Sequence, residues 1–156
     1  MIDNNLCNTS SICKGNYGLN RKKMPQFNKK TLKKFINSLE KKNIKSKKGS
    51  FHVKNLKATQ NEIFHPAIKN IQKKIRKCKF KPDTIVISKN NHVIDGHHRW
   101  ASIKHCYNNP KLCRSKKCKK FNPYLKGYKI NLEPLDIIKR ANNFNGIYNI
   151  NLNVIQ

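Results

Sequence analysis

The sequence predicts an α+β fold, and three features carry that expectation. Leu32, Phe35, Ile36 and Leu39 recur at i, i+3, i+4 and i+7 with lysines between them, and a second apolar stripe runs through Ile63, Ala67, Ile71 and Ile75. Short β-branched runs follow, of which Thr84-Ile85-Val86-Ile87-Ser88 is the clearest. A length of 156 residues supports one domain with a proper core and is too short for two.

Taken in order, residues 1–27 are polar, contain Ser-Ser, Gly15 and Gly18, and show no sustained periodicity; they are expected to form a flexible basic arm. Residues 28–48 read as the first amphipathic helix, to about Lys42, and a loop in which Lys45-Ser46-Lys47-Lys48-Gly49-Ser50 offers nothing to bury. The main domain is expected over 49–142. Phe51 to Leu56 alternates as a strand, Ala58 to Asn61 turns, and a helix runs from about Glu62 to Cys78 with Pro66 near its first turn. Lys89-Asn90-Asn91 is a tight turn, so the β-branched run and His92-Val93-Ile94 form a hairpin. Residues 107–126 read as a long polar insertion with four lysines between Lys116 and Lys120. Tyr128 to Leu132 alternates as a strand, and Glu133 to Ala141 has the acidic, proline-containing start of a helix. Residues 143–156 are expected to be a tail or, through Ile150-Asn151-Leu152-Asn153-Val154, an edge strand.

The hairpin delivers Asp95-Gly96-His97-His98-Arg99-Trp100 to a helix start. Such a strand-turn-helix junction leaves unpaired backbone N–H groups and the positive end of a helix dipole pointing outward, beside cationic side chains. The expectation is an anion pocket, for phosphate first. Arg99 is the best candidate for a bidentate phosphate contact, Gly96 permits close approach, and one of His97 and His98 is expected to be a core histidine bonded to backbone. Asp95 is open to three roles: capping the helix, orienting a histidine, or holding Mg2+ through water. Trp100 reads as a core anchor.

Lys plus Arg number 35 against 7 Asp plus Glu, a formal charge of +28. Self-repulsion on that scale points to a polyanionic partner, nucleic acid first. Lys73, Lys74, Arg76 and Lys77 of the second helix and Arg114, Lys116, Lys117, Lys119 and Lys120 of the insertion are the candidate contacts. Enrichment of Lys, Asn and Ile together is also what AT-rich coding produces, which leaves compositional drift open. No apolar run approaches the roughly 18 residues that span a bilayer, so no membrane partner is expected. The first residues carry no secretory apolar stretch, so the six cysteines are expected as free thiols in a soluble intracellular protein. His105, Cys106, Cys113 and Cys118 invite a zinc reading, but their spacings lack the paired short knuckles of structural zinc sites, and no metal ligands are assigned.

At Asp95-Gly96-His97-His98-Arg99 the chain resembles the Asp-Gly-His-His-Arg signature of the ParB/sulfiredoxin superfamily, and Thr59-Gln60-Asn61-Glu62-Ile63 resembles that family's earlier Thr-Gln-x-Glu-Ile segment. The likeness runs from Phe51 to Ala141, with the insertion as its chief departure. It implies a ParB/sulfiredoxin-like fold, a small mixed sheet packed with helices. It also implies a nucleotide (ATP, ADP or CTP) whose phosphates are held by Gln60, Gly96, His97, His98 and Arg99. Glu62 would act as general base, with Asp95 and His98 as further catalytic candidates. The activities implied are those of an NTPase, a phosphotransferase or a ParB-like nuclease acting with DNA. A histidine stands at position 97, where sulfiredoxins carry the catalytic cysteine, which argues against sulfinic acid reduction. The short stretch after Ala141 is not expected to hold the helix-turn-helix domain of a partitioning protein. Two alternatives stay open, a non-catalytic basic packaging protein on the same fold and a free-serine-type small-molecule kinase. A nucleoid, virus factory or virion location would follow from a plasmid-like or viral origin.

Overall fold

Ile85–Ser88 has no polar face to turn to solvent, and all four of its residues are buried at the centre of the sheet. A computed structural model of the chain describes residues 3–144 and the backbone of Tyr148–Asn149. The elements in chain order are α1 (Leu6–Thr9), β1 (Pro25–Gln26), α2 (Lys29–Glu40), β2 (Ser46–His52), α3 (His65–Arg76), β3 (Ile85–Ser88), β4 (Val93–Asp95), α4 (His97–Asn108), β5 (Tyr124–Ile130), α5 (Pro134–Asn142) and β6 (Tyr148–Asn149). The fold is mixed α+β.

The main sheet has four strands in the order β2-β5-β3-β4. β3 runs parallel to β5 and antiparallel to β4, and β5 is antiparallel to β2, so the sheet is mixed. Alternation along β3 divides the core between its two faces. Ile85 and Ile87 join Ile68, Ile75, Trp100 and Ile103 of α3 and α4, while Val86 joins Phe35, Ile36, Leu39 and Ile137 of α2 and α5. A helix pair therefore covers each face. Gly127 of β5 lies against β3 so closely that a Cβ there would sit 2.5 Å from the Ile85 carbonyl oxygen, which excludes any larger residue.

The α2 stripe, the hairpin and the C-terminal helix form as expected, whereas α3 buries Ile68, Gln72 and Ile75, leaves Ala67 and Ile71 partly buried and begins after Ile63; three further shifts occur. Lys45 to Ser50 is not a loop beyond its first residue: Ser46–His52 pairs in unbroken register with β5, from Ser46 opposite Ile130 to His52 opposite Tyr124. Backbone pairing with a neighbouring strand decides this segment, and side-chain pattern carries no trace of it. Helix α3 begins at His65, after Glu62, with Pro66 in its first turn. The insertion is shorter than expected, because β5 begins at Tyr124. The tail strand expected at Ile150 to Val154 lies outside the described residues; Tyr148–Asn149 pairs with Pro25–Gln26.

The flexible arm is the main correction. Leu6, Cys13 and Met24 are each at most 3% exposed. The segment is strapped to the loop before α3 by four backbone bonds: Leu6 N–H to Ile63 O (2.8 Å), His65 N–H to Asn4 O (2.8 Å), Tyr17 N–H to Thr59 O (2.9 Å) and Asn61 N–H to Leu19 O (2.7 Å). Its turns are held by side chains rather than by a periodic ladder: Asn5 accepts from Cys7 N–H, Ser10 from Ile12 N–H and Asn16 from Gly18 N–H. Met24→Ala is therefore expected to cost about 2–5 kcal/mol of stability in urea unfolding, the range for a buried methionine truncated to alanine. A mobile arm would leave the midpoint unchanged.

Candidate functional site

Strand β4 ends at Asp95, and Gly96 turns the chain into α4 with φ +102°. A Cβ at Gly96 would meet Ile85 Cγ2 at 2.6 Å and Arg99 Nη2 at 2.9 Å, so both conformation and space require glycine. No side chain caps α4, and its first backbone bond is Trp100 N–H to the Gly96 carbonyl. The amides of His97, His98 and Arg99 therefore precede the helical ladder. Trp100, 1% exposed, anchors the turn from behind by donating its indole N–H to the Val53 carbonyl at 3.1 Å.

Both histidines serve as hydrogen-bond acceptors. His97 is buried, and its Nε2 accepts from Thr59 N–H at 3.0 Å and Gln60 N–H at 3.3 Å. Burial holds its pKa well below the ordinary value, with His98, Arg99 and His92 adding to the effect. His98 Nε2 accepts from Phe64 N–H at 3.0 Å, and burial first, then Arg21 and Arg99, lowers its pKa to about 4. The expected core histidine is His97; His98 is only partly buried though also bonded to backbone, and neither is a cation that grips phosphate near neutral pH. Asp95 Oδ2 accepts from Phe27 N–H at 3.2 Å, and Oδ1 lies 3.9 Å from Arg99 Nη2. Burial raises the Asp95 pKa, against the opposing pull of Arg99. Asp95 thus ties the start of α2's approach to the motif, and does not cap α4.

A cavity of about 190 Å³ opens at this helix start. The motif residues Asp95 to Arg99 line it together with Gln60, and the N-terminal strap closes it with Arg21, Met24 and Gln26. Gln60 is fixed by donating its side-chain amide to the Glu62 carbonyl. Arg99 donates from Nη2 to the Thr84 carbonyl at 3.3 Å, while its Nε is buried with no partner among the described residues. The cations at the mouth are thus the guanidinium groups of Arg99 and Arg21. One carboxylate, already bonded and facing them, does not fit a direct Mg2+ ligand; the donor set fits an anion. Glu62 is not part of this cavity. Its side chain is exposed and lines a neighbouring cleft with Asp3, Asn5 and Phe64, and the two spaces share Arg21. The loop Gln60 to Ile63 turns Glu62 outward before α3 begins, which corrects its expected place at a helix start facing the motif.

No protein-family model, curated protein or solved structure matches the chain.

The candidate nucleic-acid contacts come together on one surface. All six cysteines are paired, as Cys7–Cys13, Cys78–Cys118 and Cys106–Cys113, with Cα separations of 5.1, 5.5 and 5.6 Å, inside the bonding window. The free-thiol expectation is overturned: it rested on the absence of a secretory stretch, which says nothing about how the fold juxtaposes the sulfurs. The thiol argument for an intracellular location goes with it, and Cys106, Cys113 and Cys118 are not a zinc set. No described helix is long and apolar enough to cross a membrane. Cys78–Cys118 joins the end of α3 to the insertion, bringing Lys73, Lys74 and Lys77 near Arg114, Lys116, Lys117, Lys119 and Lys120, all exposed. Arg76 is withdrawn from that surface, because its Nη1 donates to the Leu112 carbonyl at 2.6 Å and its own carbonyl accepts from Ser115 Oγ.

The pH dependence follows from His98. Its folded pKa of about 4 lies below the ordinary 6.5, so the stability it contributes is complete above about pH 6.5 and is lost as pH falls toward 4. The loss is on the order of 3 kcal/mol, and His97, also lowered by burial, adds to it in the same sense. Asp95, raised, acts in the opposite sense as pH falls toward 3.8. Urea unfolding across this range should show a smaller acid slope for His98→Gln, whose amide oxygen still accepts from Phe64 N–H without titrating.

Proposed function

We propose that the chain is a ParB/sulfiredoxin-like nucleotide-binding protein that holds nucleotide phosphates at the start of α4 and works in association with nucleic acid. The observation that carries the phosphate reading is the cavity at an uncapped helix start, lined by Arg21 and by Arg99, whose Nε is buried with no partner among the described residues. Backbone amides and two guanidinium groups converging on one space suit a phosphate chain. The Asp95 to Arg99 motif supports the family reading by its place between a hairpin and a helix. The exposed lysines joined by Cys78–Cys118 support the polyanion reading.

An NTPase or phosphotransferase activity needs a base that reaches the terminal phosphate or its acceptor. Both motif histidines are bonded to backbone amides and Asp95 to Phe27, so we keep the base role on Glu62, as the resemblance implies; its exposed side chain lines the adjoining cleft, which shares Arg21 with the cavity. Glu62→Gln should leave nucleotide affinity unchanged and abolish turnover, read as phosphate release; unchanged turnover removes Glu62 from the mechanism.

Arg99→Ala tests the pocket. It should weaken nucleoside triphosphate binding about tenfold to a hundredfold in calorimetric titration, the loss of one or two charge-assisted hydrogen bonds. Nucleic-acid affinity and its salt slope should stay near wild type, as two separate sites require. Joint loss of both would support instead the packaging reading, in which one pocket grips a backbone phosphate.

A further inference from the structure

Beyond the motif, the exposed aromatic side chains are not scattered. Tyr107 and Tyr124, 39% and 48% exposed, stand on either side of His52. The His52 ring lies 4.8 Å from Tyr107 and 4.9 Å from Tyr124 by centroids, at 81° and 74°. Such edge-to-face packing fixes each ring through its neighbour and leaves π-faces open to solvent. The row continues into a second cavity, of about 230 Å³, lined by Tyr124, Phe121, Phe80 and Pro82 with Lys120 and Asn122 at its polar side. Phe80 and Phe121 are only partly buried against the core. Nothing in the core requires this arrangement: His52 and Tyr124 are a cross-strand pair at the ends of β2 and β5, where strands ordinarily finish in polar residues.

Lysines dominate the charge around the row, with Asp83, next to Pro82, as the acid nearest in sequence. Lys54 and Lys104 are close enough to His52 to depress its pKa, after its own partial burial. Lys77, Lys79 and Lys81 lead into the cavity from the α3 side and Lys119 and Lys120 from the insertion, all exposed, and Cys78–Cys118 forms part of the cavity wall. An apolar ligand has no use for these lysines, and a phosphate alone has no use for the rings. A duplex hides its base faces, so it would meet only the charge. Unpaired bases joined by a phosphodiester backbone use both features, and stacking on aromatic rings flanked by a basic track is how single strands are held without sequence preference.

We infer that the Tyr107-His52-Tyr124 row and the adjoining Phe80/Phe121 cavity bind single-stranded nucleic acid, the rings stacking bases and the lysines following the backbone. The inference extends the polyanion half of the reading above and is independent of the phosphate pocket at α4.

The test is fluorescence anisotropy of the oxidised, full-length chain with a labelled oligothymidylate, an oligouridylate, and a DNA duplex of equal length at one salt concentration. A single strand should bind more tightly than the duplex, and whether thymidylate or uridylate binds better names the natural strand. Tyr107→Leu with Tyr124→Leu should cost about tenfold or more on the single strand and little on the duplex. Tyr107→Phe with Tyr124→Phe, which keeps both rings, should restore wild-type binding, separating stacking from any loss of fold. Equal affinity for single strand and duplex, with both tyrosine pairs neutral, would overturn the aromatic platform and leave the polyanion reading standing. Failure to bind either polymer would overturn both.

Discussion

The neutral imidazole of His97 is the contact on which the rest of the site depends. Its Nε2 accepts two backbone amides, from Thr59 and Gln60, and so fixes the loop before α3 against the start of α4. The N-terminal strap then hangs on that same loop, through Thr59 O and Asn61 N–H. Arg21 and Met24 reach the cavity only because the strap is fixed there. Charge on His97 would convert an acceptor into a donor facing two donors, in a place without solvent. The low pKa of His97 is thus part of how three chain segments are held together, which leaves the arginines as the cations of the cavity.

Those arginines carry information that the lysines do not. Among 35 basic residues only five are arginine: Arg21, Arg76, Arg99, Arg114 and Arg140. Arg99 and Arg21 line the cavity, and Arg76 ties the insertion to α3 through Leu112 O. Arg99 and Arg76 donate to backbone carbonyls from a planar fork with fixed donor directions, for which the compact ammonium of lysine is a poor substitute. In a chain where lysine is the default cation, an arginine marks a place where geometry matters. That scarcity was the one signal in the sequence able to pick out Arg21, which lies in an Arg-Lys-Lys run with no motif around it.

Much of the frame was legible because its elements are periodic. The stripes of α2 and α3, the β-branched β3 and the Asn-rich turn before β4 each read directly as local structure, and the motif at Gly96 reads as a turn into a helix. The strap was not legible, because Asn5, Ser10 and Asn16 build it from single side-chain bonds that leave neither a 2-residue nor a 3.6-residue period. Strand β2 was half hidden for a different reason. Lys47, Lys48 and Gly49 pair by backbone with β5, and a strand that exposes its side chains needs no apolar alternation. The displacement of Glu62 came from the same class of cause: the position of the α3 start depends on bonds to Asn4 and Asn5, distant in sequence.

The distribution of the seven acidic residues bears on whether the charge is compositional drift. AT-rich coding enriches lysine, codon AAA, over glutamate, codon GAA, and so raises the charge along the whole chain alike. In this chain the acids fall at Asp3, Glu40, Glu62, Asp83, Asp95, Glu133 and Asp136. None lies between Glu62 and Asp83, nor between Asp95 and Glu133. These two stretches hold α3, α4 and the insertion, the segments that Cys78–Cys118 and the Arg76 to Leu112 bond join into one surface. A single ion pair, Lys89 to Glu133, occurs on the exposed surface among the described residues, and it joins the loop between β3 and β4 to the residue before α5. Two sequence-distant segments, both free of acids and held together covalently, concentrate like charge at a cost in self-repulsion that the proposed polyanionic partner would offset.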